Sequence, residues 1–137
     1  MRLDERTCRE RLAAQRVARL ATVGGDGRPH LVPVTFALLG DHIVTAVDQK
    51  PKSTIRLRRL RNIDANPSVC LLADHYEEDW RHLWWVRADG TATVVEDDAA
   101  RRPALEVLEA KYPQYRADPP RGPVVDIEVG SWAGWSH

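Results

Sequence analysis

The chain has 137 residues, 43% of them apolar and 29% charged, which suits one domain with a real core and is too short for two. Twenty basic residues balance twenty acidic ones, so no overall field draws the molecule to nucleic acid or an anionic membrane, and any positive patch must be local. The opening MRLDERTCRERLAAQ is charged throughout and lacks the apolar core of a signal peptide. No window approaches the roughly 20 apolar residues of a membrane span, which predicts a cytoplasmic location.

Residues 4–16 place acidic groups early and arginines late, in keeping with a helix dipole, and predict a short opening helix. VARLATV, residues 17–23, alternates as a half-buried strand and runs into the turn formers GGDGRP. HLVPVTFALL, residues 30–39, reads as the returning strand. Pro33 lacks a ladder donor, so this part of it belongs at an edge, at a bulge or beside a ligand. Gly40 and Asp41 turn the chain into a third strand, HIVTAV.

After Val47 the composition becomes polar. TIRLRRLRNIDAN then reads as a helix with Ser53 or Thr54 as its N-cap, stopped at Asn66-Pro67. SVCLLADH, residues 68–75, is an apolar run expected as a buried strand, and WRHLWWVRADGTATVVE is expected as a hairpin turning at Asp89-Gly90. An amphipathic helix over 97–111, a proline-rich loop PQYRADPPRGP and a closing strand VVDIEV complete the chain. Cys8 and Cys70 lie far apart with no histidine at metal-ligand spacing, and both read as free thiols.

The densest chemical signal lies between Lys50 and Arg61, where six of twelve residues are Lys or Arg and none is acidic. On a helix, Ile55, Leu57, Leu60 and Ile63 fall within an arc of about 200° while Arg58 and Arg61 point away to solvent. Arg56 and Arg59 fall within the apolar arc, where an unpaired guanidinium loses hydration without compensation. Two partners are open: carboxylates of the fold, such as Asp126 or Glu128, or a bound anion. A phosphate at the start of this helix would gain free N–H groups, the Ser53 and Thr54 hydroxyls and bidentate Arg contacts. No aromatic platform accompanies these charges to suit a nucleic acid.

The stretches GRPHLVPVTFAL, DQKPKSTIRLRRLRNIDANPSVCLL and DHYEEDWRHLWWVRADGTATVV, in that order, resemble the pyridoxamine 5'-phosphate oxidase-like split-barrel proteins, more narrowly their actinobacterial branch that uses the deazaflavin coenzyme F-420. The resemblance spans about residues 8–130. It implies a mainly β fold with flanking helices, a six-stranded antiparallel split β-barrel over the whole of residues 1–137, and a homodimer with cofactor sites at the interface. It places the phosphate-binding loop and helix at Lys50, Lys52, Ser53, Thr54 and Arg59, with Arg56 beside them. Pro33, Val34 and Thr35 back the ring system, and Trp80, of the Asp79-Trp80 pair, either walls the site or packs as plain apolar surface. Of the adjacent Trp84 and Trp85, one should face the barrel and the other outward.

No GxSxG, HExxH, Walker loop or Cys-x-x-Cys is present, and no metal site is expected. Three readings follow. The first is an oxidoreductase passing a hydride from reduced coenzyme F-420 to an unsaturated organic substrate, and the second an FMN-dependent oxidase or reductase. The third is a non-catalytic carrier or sensor of the cofactor. The sequence names no catalytic side chain.

Overall fold

The computed structural model describes residues 1–47 and 57–137. Its elements are α1 (Glu5–Ala13), β1 (Ala18–Val23), β2 (Pro29–Val34), β3 (Ala37–Leu39), β4 (His42–Ala46), α2 (Arg58–Ala65), β5 (Ser68–His75), a 3-10 turn (Trp80–His82), β6 (Trp84–Val95), α3 (Asp98–Lys111), α4 (Pro113–Ala117) and β7 (Val124–Ser136). The strands form one antiparallel sheet in the order β2-β1-β5-β6-β7-β4-β3.

That order forces the sheet to curl. Laid flat, seven strands about 4.8 Å apart would separate the two edges by about 29 Å. Yet β2 and β3 occupy opposite edges and are joined by Thr35 and Phe36 alone, a reach of about 11 Å. The sheet therefore rolls until its edges approach, as a barrel that no ladder closes. Phe36 is fully buried at this seam. Its N–H donates to the Tyr112 hydroxyl at 3.1 Å, and that hydroxyl shares its own proton between the carbonyls of Phe36 and Arg16, each at 2.9 Å. The sheet has seven strands where the resemblance implied six, and the run over 30–39 is broken here into two.

The hairpin expected at Asp89-Gly90 does not form. β6 runs straight through, paired with β7 from Trp84↔Ser136 to Val95↔Val124, with one register shift between Asp89 and Gly90. A tight Asp-Gly hairpin turn needs positive φ at its glycine; among the described glycines only Gly27 and Gly40 have it, both in the turns expected from the sequence. The bulge lies in the partner strand: Asp89 pairs with Ser131 and Gly90 with Val129, so Gly130 of β7 is the extra residue and the pair sits opposite it in a long strand. β7 likewise extends beyond VVDIEV to Ser136. In the loop expected over 113–123, Pro113 instead opens the short helix α4, its fixed φ suiting a first helical position.

α2 begins later than the sequence suggested. Leu57 is its N-cap, makes no side-chain cap and is exposed, and the expected caps Ser53 and Thr54 lie outside the described residues. Leu60 and Ile63 face the main core with Leu12, Leu20, Phe36, Ile43, Leu71, Val86 and Ile127. Each such side chain contributes about 1.5–3 kcal/mol on burial. Asn62, also buried, donates from Nδ2 to Thr22 Oγ1 at 3.0 Å. A second cluster lies beneath α3, where Leu105 and Leu108 meet Val44 and Val124.

Trp84 packs against the main core with the Arg11 guanidinium 5.4 Å over its ring, while Trp85 carries Arg87 at 5.7 Å. Cys8 and Cys70 are free thiols. Among the described residues no helix is long and apolar enough to cross a membrane.

Candidate functional site

Arg59 stands on the first turn of α2, half-buried, and its Nε is shielded from solvent without a hydrogen-bond partner among the described residues. Burial pulls its pKa below the ordinary arginine value, with the nearby Tyr115 phenol acting in the opposite sense. Of the two carboxylates suggested as its partner, Asp126 accepts from His42 Nδ1 at 2.6 Å and Glu128 is exposed on β7. α2 also has no acidic residue in its first turn and no side-chain cap. The Leu60 and Arg61 N–H groups close on the Leu57 carbonyl, and those of Arg58 and Arg59, which have no intrahelical acceptor, form with the guanidinium an arrangement suited to an anion. A phosphate-bearing cofactor fits these residues.

Tyr115 connects Arg59 to the seam. Its hydroxyl and Thr35 Oγ1 share a hydrogen bond of 2.6 Å, and Thr45 Oγ1 donates to the Thr35 carbonyl at 2.6 Å. Thr35, Tyr112 and Tyr115, with Arg16, Val17 and Pro113, line a cleft of about 500 Å³. That volume falls in the range of small-molecule and cofactor sites.

The residues expected to back a ring do not share one face. Thr35 lines the cleft, Val34 is buried in the core, and Pro33 is exposed on β2, an edge strand that tolerates its missing donor. Trp80 is 71% exposed on the 3-10 turn. The register puts that loop at the same end of the sheet as Thr35, because Leu72 and Pro33 both pair with Arg19. Lys50, Lys52, Ser53, Thr54 and Arg56 lie outside the described residues.

Arg58 and Arg61 are exposed as expected, yet they border an open polar cleft of about 540 Å³ with Arg28, Gly24 and Gly25. Sequence reading missed this grouping, because Arg28 reaches it from the β1–β2 turn. It also missed Tyr112 and Tyr115, whose i, i+3 spacing was hidden in an expected loop.

Lys111 is the most displaced titrating group here. Its ammonium sits 3.8 Å from the Phe36 ring centroid with no hydrogen-bond acceptor, and burial, with the charge of Arg16, brings its pKa down to about 8. Below pH 8 the folded chain carries a charge it holds less well than the unfolded chain, whose lysine titrates near 10.4. The unfolded state binds more protons between these values, so this group makes stability rise with pH from about 8 to 10.4. Cation–π attraction and partial solvation offset part of the penalty. Lys111→Met is expected to stabilise the fold by about 1 kcal/mol at pH 7 and by nothing at pH 10.5, as read by urea unfolding.

Comparison with known proteins places this geometry. The profile of the pyridoxamine 5'-phosphate oxidase family matches residues 5–136. A 5a,11a-dehydrotetracycline/5a,11a-dehydrooxytetracycline reductase of Streptomyces rimosus is 38% identical over 63 residues, a match spanning 46% of this chain and 43% of the reductase. The fold is similar to that of a conserved hypothetical protein of Mycobacterium tuberculosis, with TM-score 0.78 at 23% identity over 98% of this chain and 86% of the other. It is also similar to an FAD-binding protein of Mesorhizobium loti (0.73, 22%, 98% and 95%) and one of Mycobacterium smegmatis (0.67, 19%, 100% and 99%). With the family profile covering almost the whole chain and the curled antiparallel sheet beneath it, the chain belongs to the pyridoxamine 5'-phosphate oxidase family.

Proposed function

We propose that this chain is an oxidoreductase that binds the deazaflavin coenzyme F-420 and passes a hydride from its reduced form to an unsaturated organic substrate. The observation that carries this reading is Arg59, a half-buried guanidinium with an unpartnered Nε at the uncapped start of α2. It answers to the phosphate, with Lys50, Lys52, Ser53, Thr54 and Arg56 expected to complete the grip. Bound, the cofactor supplies the hydride, and the protein supplies position and exclusion of water. The Tyr115 hydroxyl, held by Thr35 and open to the cleft, is suited to hold the proton that must accompany the hydride.

Two features favour the deazaflavin and this substrate class. Arg58 and Arg61, with Arg28 paired to Asp26 at 3.8 Å, give this cleft a net positive lining for a carboxylate-bearing tail, which FMN lacks. The Streptomyces relative is named as a reductase of dehydro compounds. An FMN-dependent oxidase or reductase is the second reading, favoured by the two relatives described as FAD-binding.

Fluorescence titration of the protein with FMN and with coenzyme F-420 tests the binding. Binding of neither sinks both readings, and tighter binding of FMN reverses their order. Incubating reduced coenzyme F-420 with a panel of unsaturated ketones then tests turnover. Loss of its absorbance is expected; persistence across the panel would leave a non-catalytic carrier or sensor.

The reading includes a homodimer with sites at its interface. Leu31 at 66% and Trp80 at 71% exposure are costly apolar surfaces for a lone chain, and a partner would cover them. Sedimentation is expected to give twice the chain mass of 15.5 kDa, and a monomer at micromolar concentration would remove this element.

A further inference from the structure

We propose that Glu77, Asp79 and His82 form a binding site for one divalent transition-metal ion, zinc by its donor chemistry, in the loop between β5 and β6. One donor atom from each lies within 4.8 Å of the others. Atoms bound tetrahedrally to a single zinc at about 2.0–2.2 Å lie about 3.4 Å apart, so these three surface side chains must close in by up to about 1.4 Å to share one ion. The donors are one imidazole nitrogen and two carboxylate oxygens, borderline and hard ligands of the kind zinc accepts, with a coordination position left for water.

The surroundings resemble the support that metal ligands receive. His82 Nδ1 meets Glu77 Oε1 at 2.5 Å, and His75 Nε2 meets the other oxygen, Oε2, at 2.6 Å. An ion would replace the proton between His82 and Glu77, while His75 continues to hold the carboxylate in orientation from outside. His137 also acts electrostatically on Asp79, and its N–H donates to the Leu83 carbonyl at 3.1 Å. Three of the five histidines thus converge from β5, the 3-10 turn and the end of β7, although they are scattered in the sequence.

One competitor is present. Arg81 donates to both Asp79 oxygens at 2.9 Å. Its side chain is 79% exposed, so water screens the pair; the ion takes Oδ2, from which it displaces the Arg81 guanidinium, while Oδ1 keeps the backbone N–H of Arg81 at 3.1 Å. The site shares no residue with the Arg59 cleft, so the inference does not depend on the proposed cofactor.

Calorimetric titration of the full chain, free of any histidine tag, with Zn²⁺ alone tests it. One equivalent is expected to bind, with the imidazole resonances of His82 and His75 shifting and those of His30 and His42 unmoved. His82→Ala and Glu77→Gln should each weaken binding by at least about tenfold, and His75→Ala by about tenfold as an outer partner. These side chains are exposed except for the partly covered Glu77 and His75 carboxylate–imidazole contact, so circular dichroism is expected to show the fold unchanged. Absence of saturable binding, or equal binding by His82→Ala and Glu77→Gln, would overturn the proposal and leave a surface ion-pair network.

Discussion

Replacing Arg59 by alanine is expected to weaken binding of FMN and coenzyme F-420 alike by about 10- to 100-fold, the worth of one or two charge-assisted phosphate contacts at about 1.5–3 kcal/mol. The expectation rests on the absence of another task for this side chain. Its Nε is buried without an acceptor, Asp126 is taken by His42, and α2 offers uncapped N–H groups beside it. A structural arginine would behave otherwise, because removing it would strand a carboxylate and lower stability. Arg59→Met should therefore leave the thermal midpoint of the free protein unchanged or raised while cofactor binding falls. Arg58→Ala and Arg61→Ala, on the exposed face, should leave FMN affinity within about threefold and reduce only that for coenzyme F-420, more so at low salt. A fall in stability of Arg59→Met with cofactor affinity intact would assign the residue to the fold.

The contrast between Arg59 and its neighbours was legible in the sequence because helical periodicity sorts them: Leu60 and Ile63 are buried, Arg58 and Arg61 exposed, Arg59 between. β5 was legible to the residue, since its apolar run is bounded by Pro67 and a polar loop. What misled was chemistry with two meanings. Asp89-Gly90 is a turn signal when φ is free to become positive and a site of close backbone approach when a bulged neighbouring strand presses against it, and sequence alone does not distinguish them. The run over 30–39 reads as one returning strand, yet Thr35 and Phe36 carry the chain from one edge of the sheet to the other. Such a crossing depends on curl, a property of all seven strands together. The cleft at Thr35 was hidden for the same reason, because Tyr112 and Tyr115 reach it from far along the chain. The histidines 75, 82 and 137 were scattered until β5, β6 and β7 aligned their ends.

Gly90, opposite the bulge in β7, gives the largest expected loss of stability. Gly90→Ala places a methyl group 2.9 Å from Ile127 Cγ2 and 3.1 Å from the Glu128 carbonyl carbon, and closer still to that carbonyl's oxygen. The obstruction is backbone of the partner strand, which cannot rotate aside, so the β6–β7 ladder must open locally or shift register. A cost of about 3 kcal/mol or more is expected, which for a chain of this size lowers the thermal midpoint by about 10 °C. Gly27→Ala separates this steric cause from a conformational one. Gly27 has φ +80° with nothing within 4 Å of the added atom, so its penalty is only the left-handed backbone, about 1 kcal/mol. Were Asp89-Gly90 a hairpin turn, Gly90→Ala would cost about the same as Gly27→Ala. Thermal unfolding of the two variants side by side decides it: a Gly90→Ala loss about three times the other supports the close approach of β6 to β7, and equal losses would reject it.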